Sequence, residues 1–179
     1  MTGTLDCLSD AQNKLLRKYQ FEHKTFLPST FNKQKVQHEE LEVVVEDYDK
    51  FFVRVRKEVE RMLEQGRATI VIFKDHAAME MFARKLKNEK SKLHQYKGFE
   101  KLSDALRSSD RQTIILNATR PFAVTLMTRS YGRGTDFACY DKALVKYGGV
   151  HIVVTFLPED ESEAKQIYGR TCRQDDPGS

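Results

Sequence analysis

Three short apolar runs, Thr69-Ile70-Val71-Ile72-Phe73, Ala123-Val124-Thr125-Leu126-Met127 and Val150-His151-Ile152-Val153-Val154-Thr155, constrain the fold of this chain most strongly. Each has the length and the β-branched content of a strand, and the Ile-Val-Ile core of the first marks it as buried. Between them the apolar spacing turns helical. Asp47 can cap a helix whose Tyr48, Phe51, Phe52, Val55, Val59, Met62 and Leu63 form one stripe, and Gly66 can end it. Asp75 can cap the next helix, with Met79, Phe82 and Leu86 on its inner face. Strands that alternate with helices imply a mainly parallel α/β sheet.

The weaker signals fill in the rest. Leu8, Ala11, Leu15 and Tyr19 have helical spacing within a short helix expected over Leu5 to Tyr19, and a polar, extended linker follows through Pro28 to Gln37. Short strands are expected at Leu41 to Val45, His94 to Tyr96 and Thr113 to Leu116, with a helix near Leu102 to Leu106. The acidic residues Glu159, Asp160, Glu161 and Glu163 suit the positive end of a last helix. At 179 residues and 40% hydrophobic content, the chain can bury one substantial core.

Composition excludes several functions. Thirty basic against 26 acidic residues leave a formal charge of only +4, which is no footprint for nucleic acid. Cys7, Cys139 and Cys172 lack C-x-x-C spacing, and the five histidines lack metal-ligand spacing, so neither a disulfide framework nor a zinc site is indicated. His151 alternates with the apolar residues of its strand and reads as a packed, hydrogen-bonded histidine. No stretch reaches the roughly 20 apolar residues that span a bilayer, so a cytoplasmic, at most peripherally membrane-bound, protein is expected.

Two blocks carry chemistry. The strand at Ala123 to Met127 runs toward Tyr131-Gly132-Arg133-Gly134-Thr135-Asp136, where glycines permit close backbone approach and Thr135 and Asp136 supply a hydroxyl and a carboxylate at the strand's C-terminal end. Ligands of open α/β sheets bind at that end. The second block is Gln166-Ile167-Tyr168-Gly169-Arg170-Thr171-Cys172-Arg173-Gln174-Asp175-Asp176-Pro177-Gly178-Ser179. If the last helix continues through it, Gln166, Arg170 and Arg173 share one face. A planar, permanently charged guanidinium suits the oxygens of a transferring phosphoryl group, and one such arginine can contribute roughly 10³ to 10⁵ in rate. Without context, paired arginines near two aspartates are ordinary surface charge.

Taken together, the blocks resemble the SecA preprotein translocase ATPases, from helicase motif III to motif VI. Met1-Thr2-Gly3-Thr4 is similar to that family's Met-Thr-Gly-Thr, Gly132 to Asp136 matches its Gly-Arg-Gly-Thr-Asp, and Gly148-Gly149-Val150-His151 is similar to its Gly-Gly-Leu-His. The final Gly169-Arg170, Arg173-Gln174 and Asp176-Pro177-Gly178-Ser179 follow in the right order. Departures are equally specific. Thr128-Arg129-Ser130-Tyr131 replaces Thr-Asn-Met-Ala, Phe156 to Glu161 replaces a basic stretch, and Tyr168, Cys172 and Asp175 alter the last motif.

The resemblance implies a RecA-like three-layer α/β domain of the P-loop NTPase fold, the second of the two that build a superfamily-2 motor. Residues 1–37 would be the motif III tail of the first domain and a linker, and 38–179 the second domain. By the same resemblance Arg170 and Arg173 are the catalytic pair. Gly132, Gly134, Thr135 and Asp136, with Gln166, Gln174, Thr2 and Thr4, bind nucleotide or couple it to domain closure. The implied cofactors are ATP and Mg²⁺, the implied partners the first RecA-like domain, an unfolded preprotein and a membrane channel, with no nucleic acid. The sequence holds no Gly-x-x-x-x-Gly-Lys-Ser/Thr loop and no acidic pair after an apolar strand. The Mg²⁺ ligands are thus expected in the first domain, and the chain is expected to be a piece of a longer motor that does not hydrolyse ATP alone. A nucleic-acid helicase motor and a non-catalytic module of the same fold are the alternatives.

Overall fold

The computed structural model describes residues 8–21, 23, 25, 43–88, 96, 98–132, 134–171 and 177–179. The first element, α1 (Asp10–Lys18), opens on a capping box: Gln12 N donates to Ser9 Oγ at 3.3 Å, and Ser9 N donates to the Gln12 side chain at 2.9 Å. None of its residues is buried. Helix α2 (Tyr48–Glu64) buries Phe52, Val55, Val59, Met62 and Leu63, most of the stripe read from the sequence, while Tyr48 stays 54% exposed. Gly66 ends it at φ +78°, its N–H bonded to Leu63 O.

From there strands and helices alternate. Strand β1 (Ala68–Phe73) leads to α3 (His76–Asn88), which is capped by Asp75 through a 2.8 Å bond from Ala78 N. Strand β2 (Glu100–Leu102), α4 (Ser108–Asn117) and β3 (Val124–Thr128) follow, then a 3₁₀ turn at Arg129–Gly132, α5 (Lys142–Lys146), β4 (Val150–Val154) and α6 (Glu161–Tyr168). The sheet is wholly parallel, in the order β2-β3-β1-β4.

Alternation of side chains along the strands divides the interior in two. Val71, Phe73, Val124 and Leu126 meet α2 and α3 on one face. Ala68, Ile70, Ile72 and Met127 meet Ile114 and Ile115 of α4, Leu144 of α5 and Ile167 of α6 on the other. This is the three-layer α/β arrangement expected of a RecA-like domain.

Four local expectations fail. Thr113 to Leu116 lies in helix α4, not in a strand, and Leu102 ends strand β2 where a helix was expected. Residues 43–45 have no regular structure. The last helix stops at Tyr168 with Gly169 as its C-cap, so Gln166 and Arg170 do not share a continuous helical face. The Pro28 to Gln37 linker, the boundary between 37 and 38, and most of the expected strand at His94 to Tyr96 lie outside the described residues.

Candidate functional site

The parallel topology selects one position for a ligand. From β1 the chain crosses one face of the sheet through α3 to reach β2, whereas from β3 it crosses the other face through α5 to reach β4. β1 and β3 are neighbours, so their connections diverge and open a crevice at their C-terminal ends. A cavity of about 410 Å³ lies there, lined by residues at or just past the ends of β1 (Lys74, Asp75, His76), β2 (Ser103, Asp104, Ala105) and β3 (Thr128, Arg129, Ser130). Sequence reading missed most of these residues. They follow three strands that only the register brings side by side, so the signal was the strand ends rather than any motif. A second cavity, of about 190 Å³, lies between α2 and α3, on the first core face.

The glycine loop begins beside the crevice. Gly132 closes the 3₁₀ turn because α6 packs against it: a Cβ there would stand 3.1 Å from Ile167 Cγ1. Gly134 has φ +73°, and among the described residues nothing lies within 4 Å of where its Cβ would be. The loop therefore presents bare backbone to open space, which fits the close approach of a phosphate.

Arg170 ties this loop to the end of α6. Its Nε donates to Gly132 O at 3.0 Å and its Nη1 to Thr135 O. The residue is only 9% exposed, and burial lowers its pKa from the ordinary arginine value. Two of its N–H groups are thus bound to carbonyls of the loop inside the fold.

A second arginine makes the neighbouring joint. Arg129 donates from Nε and Nη2 to Glu163 Oε1, at 3.0 and 2.8 Å, from Nη2 to Glu163 Oε2 at 2.8 Å, and from Nη1 to Glu159 Oε1 at 2.6 Å. Its guanidinium carbon lies 5.5 Å from the centroid of the Phe156 ring. Hydrogen bonds from Arg129 to Glu159 and then Glu163 raise the arginine's pKa. The acidic start of α6 thus has a specific partner as well as the helix dipole. Nearby, Tyr131 OH donates to Asp104 at 2.7 Å, and burial, followed by that bond, raises the Tyr131 pKa.

The third joint closes the C-terminal motif onto the sheet. Ile152 N donates to Ser179 O at 2.8 Å and Ser179 N to Val150 O at 3.2 Å, with Gly178 bridged to Val150 in parallel. Arg67, 8% exposed, donates to Gly149 O, Val150 O and Ser179 Oγ. His151 Nδ1 shares a 2.8 Å hydrogen bond with Ser179 Oγ, and its Nε2 lies 3.1 Å from Glu58 Oε1. The packed, hydrogen-bonded histidine is as expected. Gly149, at φ +74°, is required because Pro177 O passes 1.8 Å from its would-be Cβ.

Of the residues read as a site, Gly132, Thr135 and Arg170 are brought into direct contact, and Gly134 and Asp136 share their loop. Gln166 donates to Ser162 Oγ within α6 at 3.2 Å. Thr2, Thr4, Arg173 and Gln174 lie outside the described residues. Among the described residues no group of three His, Cys, Asp or Glu could hold a metal ion, and no helix is long and apolar enough to cross a membrane.

Fold and crevice together define a RecA-like α/β domain with its ligand position at the strand C-termini. No protein-family model matches the chain. Protein translocase subunit SecA 2 of Nitrosospira multiformis is 31% identical over 126 residues, 70% of this chain and 18% of that protein. SecA 2 of Bacillus anthracis is 27% identical over 179 residues, 100% of this chain and 21% of that protein, and SecA of Dehalococcoides mccartyi strain CBDB1 is 26% identical over 198 residues, 100% of this chain and 19% of that protein. The chain belongs to the SecA family, as a divergent member of it. It spans about a fifth of the length of these curated relatives.

Proposed function

We propose that this chain is the second motor domain of a SecA-like ATPase, which couples ATP binding and hydrolysis to the movement of an unfolded polypeptide through a membrane channel. The observation that carries the reading is the contact between the two motifs: Arg170 holds the carbonyls of Gly132 and Thr135, so the loop that would cradle phosphate and the segment that would carry the arginine fingers form one unit. Gly134, Thr135 and Asp136 would approach nucleotide bound by the first RecA-like domain. Arg170 and Arg173 would reach its γ-phosphate, Gln166 and Gln174 would support that face, and Thr2 and Thr4 would sense the nucleotide state. Mg²⁺ would be held by the first domain. The resemblance to proteins named as translocase subunits supports the polypeptide substrate, with a cytoplasmic protein that meets the membrane peripherally.

The burial of Arg170 also favours a second reading, a domain of the same fold kept for interaction, in which the arginine serves only to hold the loop. Steady-state ATP hydrolysis by the longer parent protein separates the two. Loss of at least a hundredfold in kcat for Arg170→Ala and Arg173→Ala, with nucleotide binding kept, supports the motor. A wild-type parent without turnover, or variants that turn over normally, would leave the interaction module.

A further inference from the structure

We propose that Arg129 is a positioning residue that latches the start of α6 to the turn after β3, so that α6, Arg170 and the glycine loop move as one body. Three observations carry this. First, Glu163 is 1% exposed, and its carboxylate takes three contacts from Arg129 together with the N–H of Glu159 at 2.8 Å. A carboxylate so dry needs a charged donor, and no other cation is bonded to it among the described residues.

Second, the ties are spaced along the whole of α6. Arg129 holds its first turn through Glu163, Ile167 packs against Gly132 further on, and Arg170 bonds Gly132 O and Thr135 O just past its end. With Arg129 in place, α6 cannot pivot about the Gly132 contact without breaking a bond at one end or the other. Third, Arg129 also holds the approach to the helix: its Nη1 donates to Glu159 Oε1 at 2.6 Å, and its guanidinium carbon lies 5.5 Å from the centroid of the Phe156 ring.

The test is hydrogen exchange on the 179-residue chain, read at the amides of Gly134, Thr135 and Asp136, at α6, and at β1 as a control. Arg129→Met keeps the aliphatic stem and should speed exchange at the loop and α6 by about ten- to hundredfold, since the pair is only partly dry, while β1 is unchanged. Glu163→Gln should do the same, and the double variant should exceed neither single by more than about twofold. Unchanged loop exchange in both singles, or fully additive effects, would overturn the proposal. If Arg129→Met unfolds the chain, seen as equal acceleration in β1, Arg129→Lys decides: a few-fold rise at the loop supports the latch, and none overturns it. A second arm rests on the motor reading. In the parent ATPase, Arg129→Met should lower kcat about tenfold with KM within about twofold, whereas a raised KM with unchanged kcat would overturn the positioning role. A parent that hydrolyses no ATP would sink the motor reading and leave the exchange result to decide the latch.

Discussion

Gly149 and Gly134 have almost the same backbone, at φ +74° and +73°, and opposite surroundings, so alanine at each separates backbone strain from contact. The left-handed conformation alone costs a non-glycine residue about 1–2 kcal/mol. At Gly134 nothing else among the described residues is met within 4 Å, and Gly134→Ala should cost that much. At Gly149 the new methyl would lie 1.8 Å from Pro177 O and 2.6 Å from Pro177 C, both backbone atoms that cannot rotate aside. The C-terminal segment must therefore leave the sheet edge. With it go the Ile152–Ser179 and Ser179–Val150 backbone bonds, the Arg67 bond to Ser179 Oγ and the one shared with His151. At about 0.5–1.5 kcal/mol net for each bond, the four sum to about 2–6 kcal/mol, a net figure because the released groups reach water. Gly149→Ala should thus cost about 3–8 kcal/mol. Urea unfolding of both variants measures the difference, and a chain lacking residues 177–179 completes the cycle: there Gly149→Ala should cost only about 1–2 kcal/mol. If the two alanine variants agree within about 0.5 kcal/mol, or if removing the segment leaves the cost of Gly149→Ala unchanged, the packing argument is wrong.

Three further outcomes are expected. The hydrogen bond from His151, followed by that from Arg61, holds the Glu58 carboxyl at about 2, against its ordinary 4.5, while burial works in the other direction. The unfolded chain then binds more protons, so stability of about 3 kcal/mol is present above pH 4.5 and lost as pH falls toward 2. His151→Gln should flatten that slope in acid titrations of urea midpoints, and an unchanged slope would remove His151 from the account. Phe82→Ala should cost about 3–5 kcal/mol in urea unfolding, because the ring is 1% exposed between Phe73 and Phe52, with centroids 5.3 and 5.8 Å away. A loss below about 1.5 kcal/mol would mean that the α2 and α3 layer closes over the gap. Thr171→Val removes a 2.7 Å bond to Val150 O, yet Arg67 and Ser179 also donate to that oxygen, so the cost should stay near 1 kcal/mol. A thermal scan showing much more would mean that those two donors do not compensate.

Residues whose surroundings are set by their own element were legible in the sequence. The Phe52, Val55, Val59, Met62 and Leu63 stripe needs only helical spacing, and the run from Thr69 to Phe73 is buried throughout. Thr113-Ile114-Ile115-Leu116 was misread because three consecutive apolar residues after a β-branched threonine fit a strand and a helix equally. Topology decides it: β2 and β3 are parallel neighbours, and a parallel pair requires a crossover, which α4 supplies while exposing Leu116. The Leu102 error has the same origin, since a three-residue strand carries no period of its own. The joints of the site were not legible. Nothing local in Arg129 names Glu163, 34 positions away, and nothing in Arg67 names Ser179, 112 positions away.

Those joints change how the arginines of such a domain can act. Arg67, Arg129 and Arg170 each span from one element to another, and each has partners inside the fold. An arginine already engaged reaches a ligand only by exchange. For Arg170 to touch a phosphate, as the proposed motor requires, it must release Gly132 O and Thr135 O, and the anion must offer more than those two carbonyls do. The bonds from the charged guanidinium to those carbonyls are already charge-assisted, so the difference must come from the opposite charge of the anion itself, which a multiply charged oxygen cluster supplies. Release also unties the glycine loop at the moment the ligand arrives. A ligand can shift a conformation only by its differential affinity for the two states, and the exchange of carbonyl for phosphate is such a difference. The loop would then be tied to Arg170 while the site is empty, when α6, Arg170 and the loop form one body, and freed from it when the site is filled, with Arg129 keeping the start of α6 seated in both states.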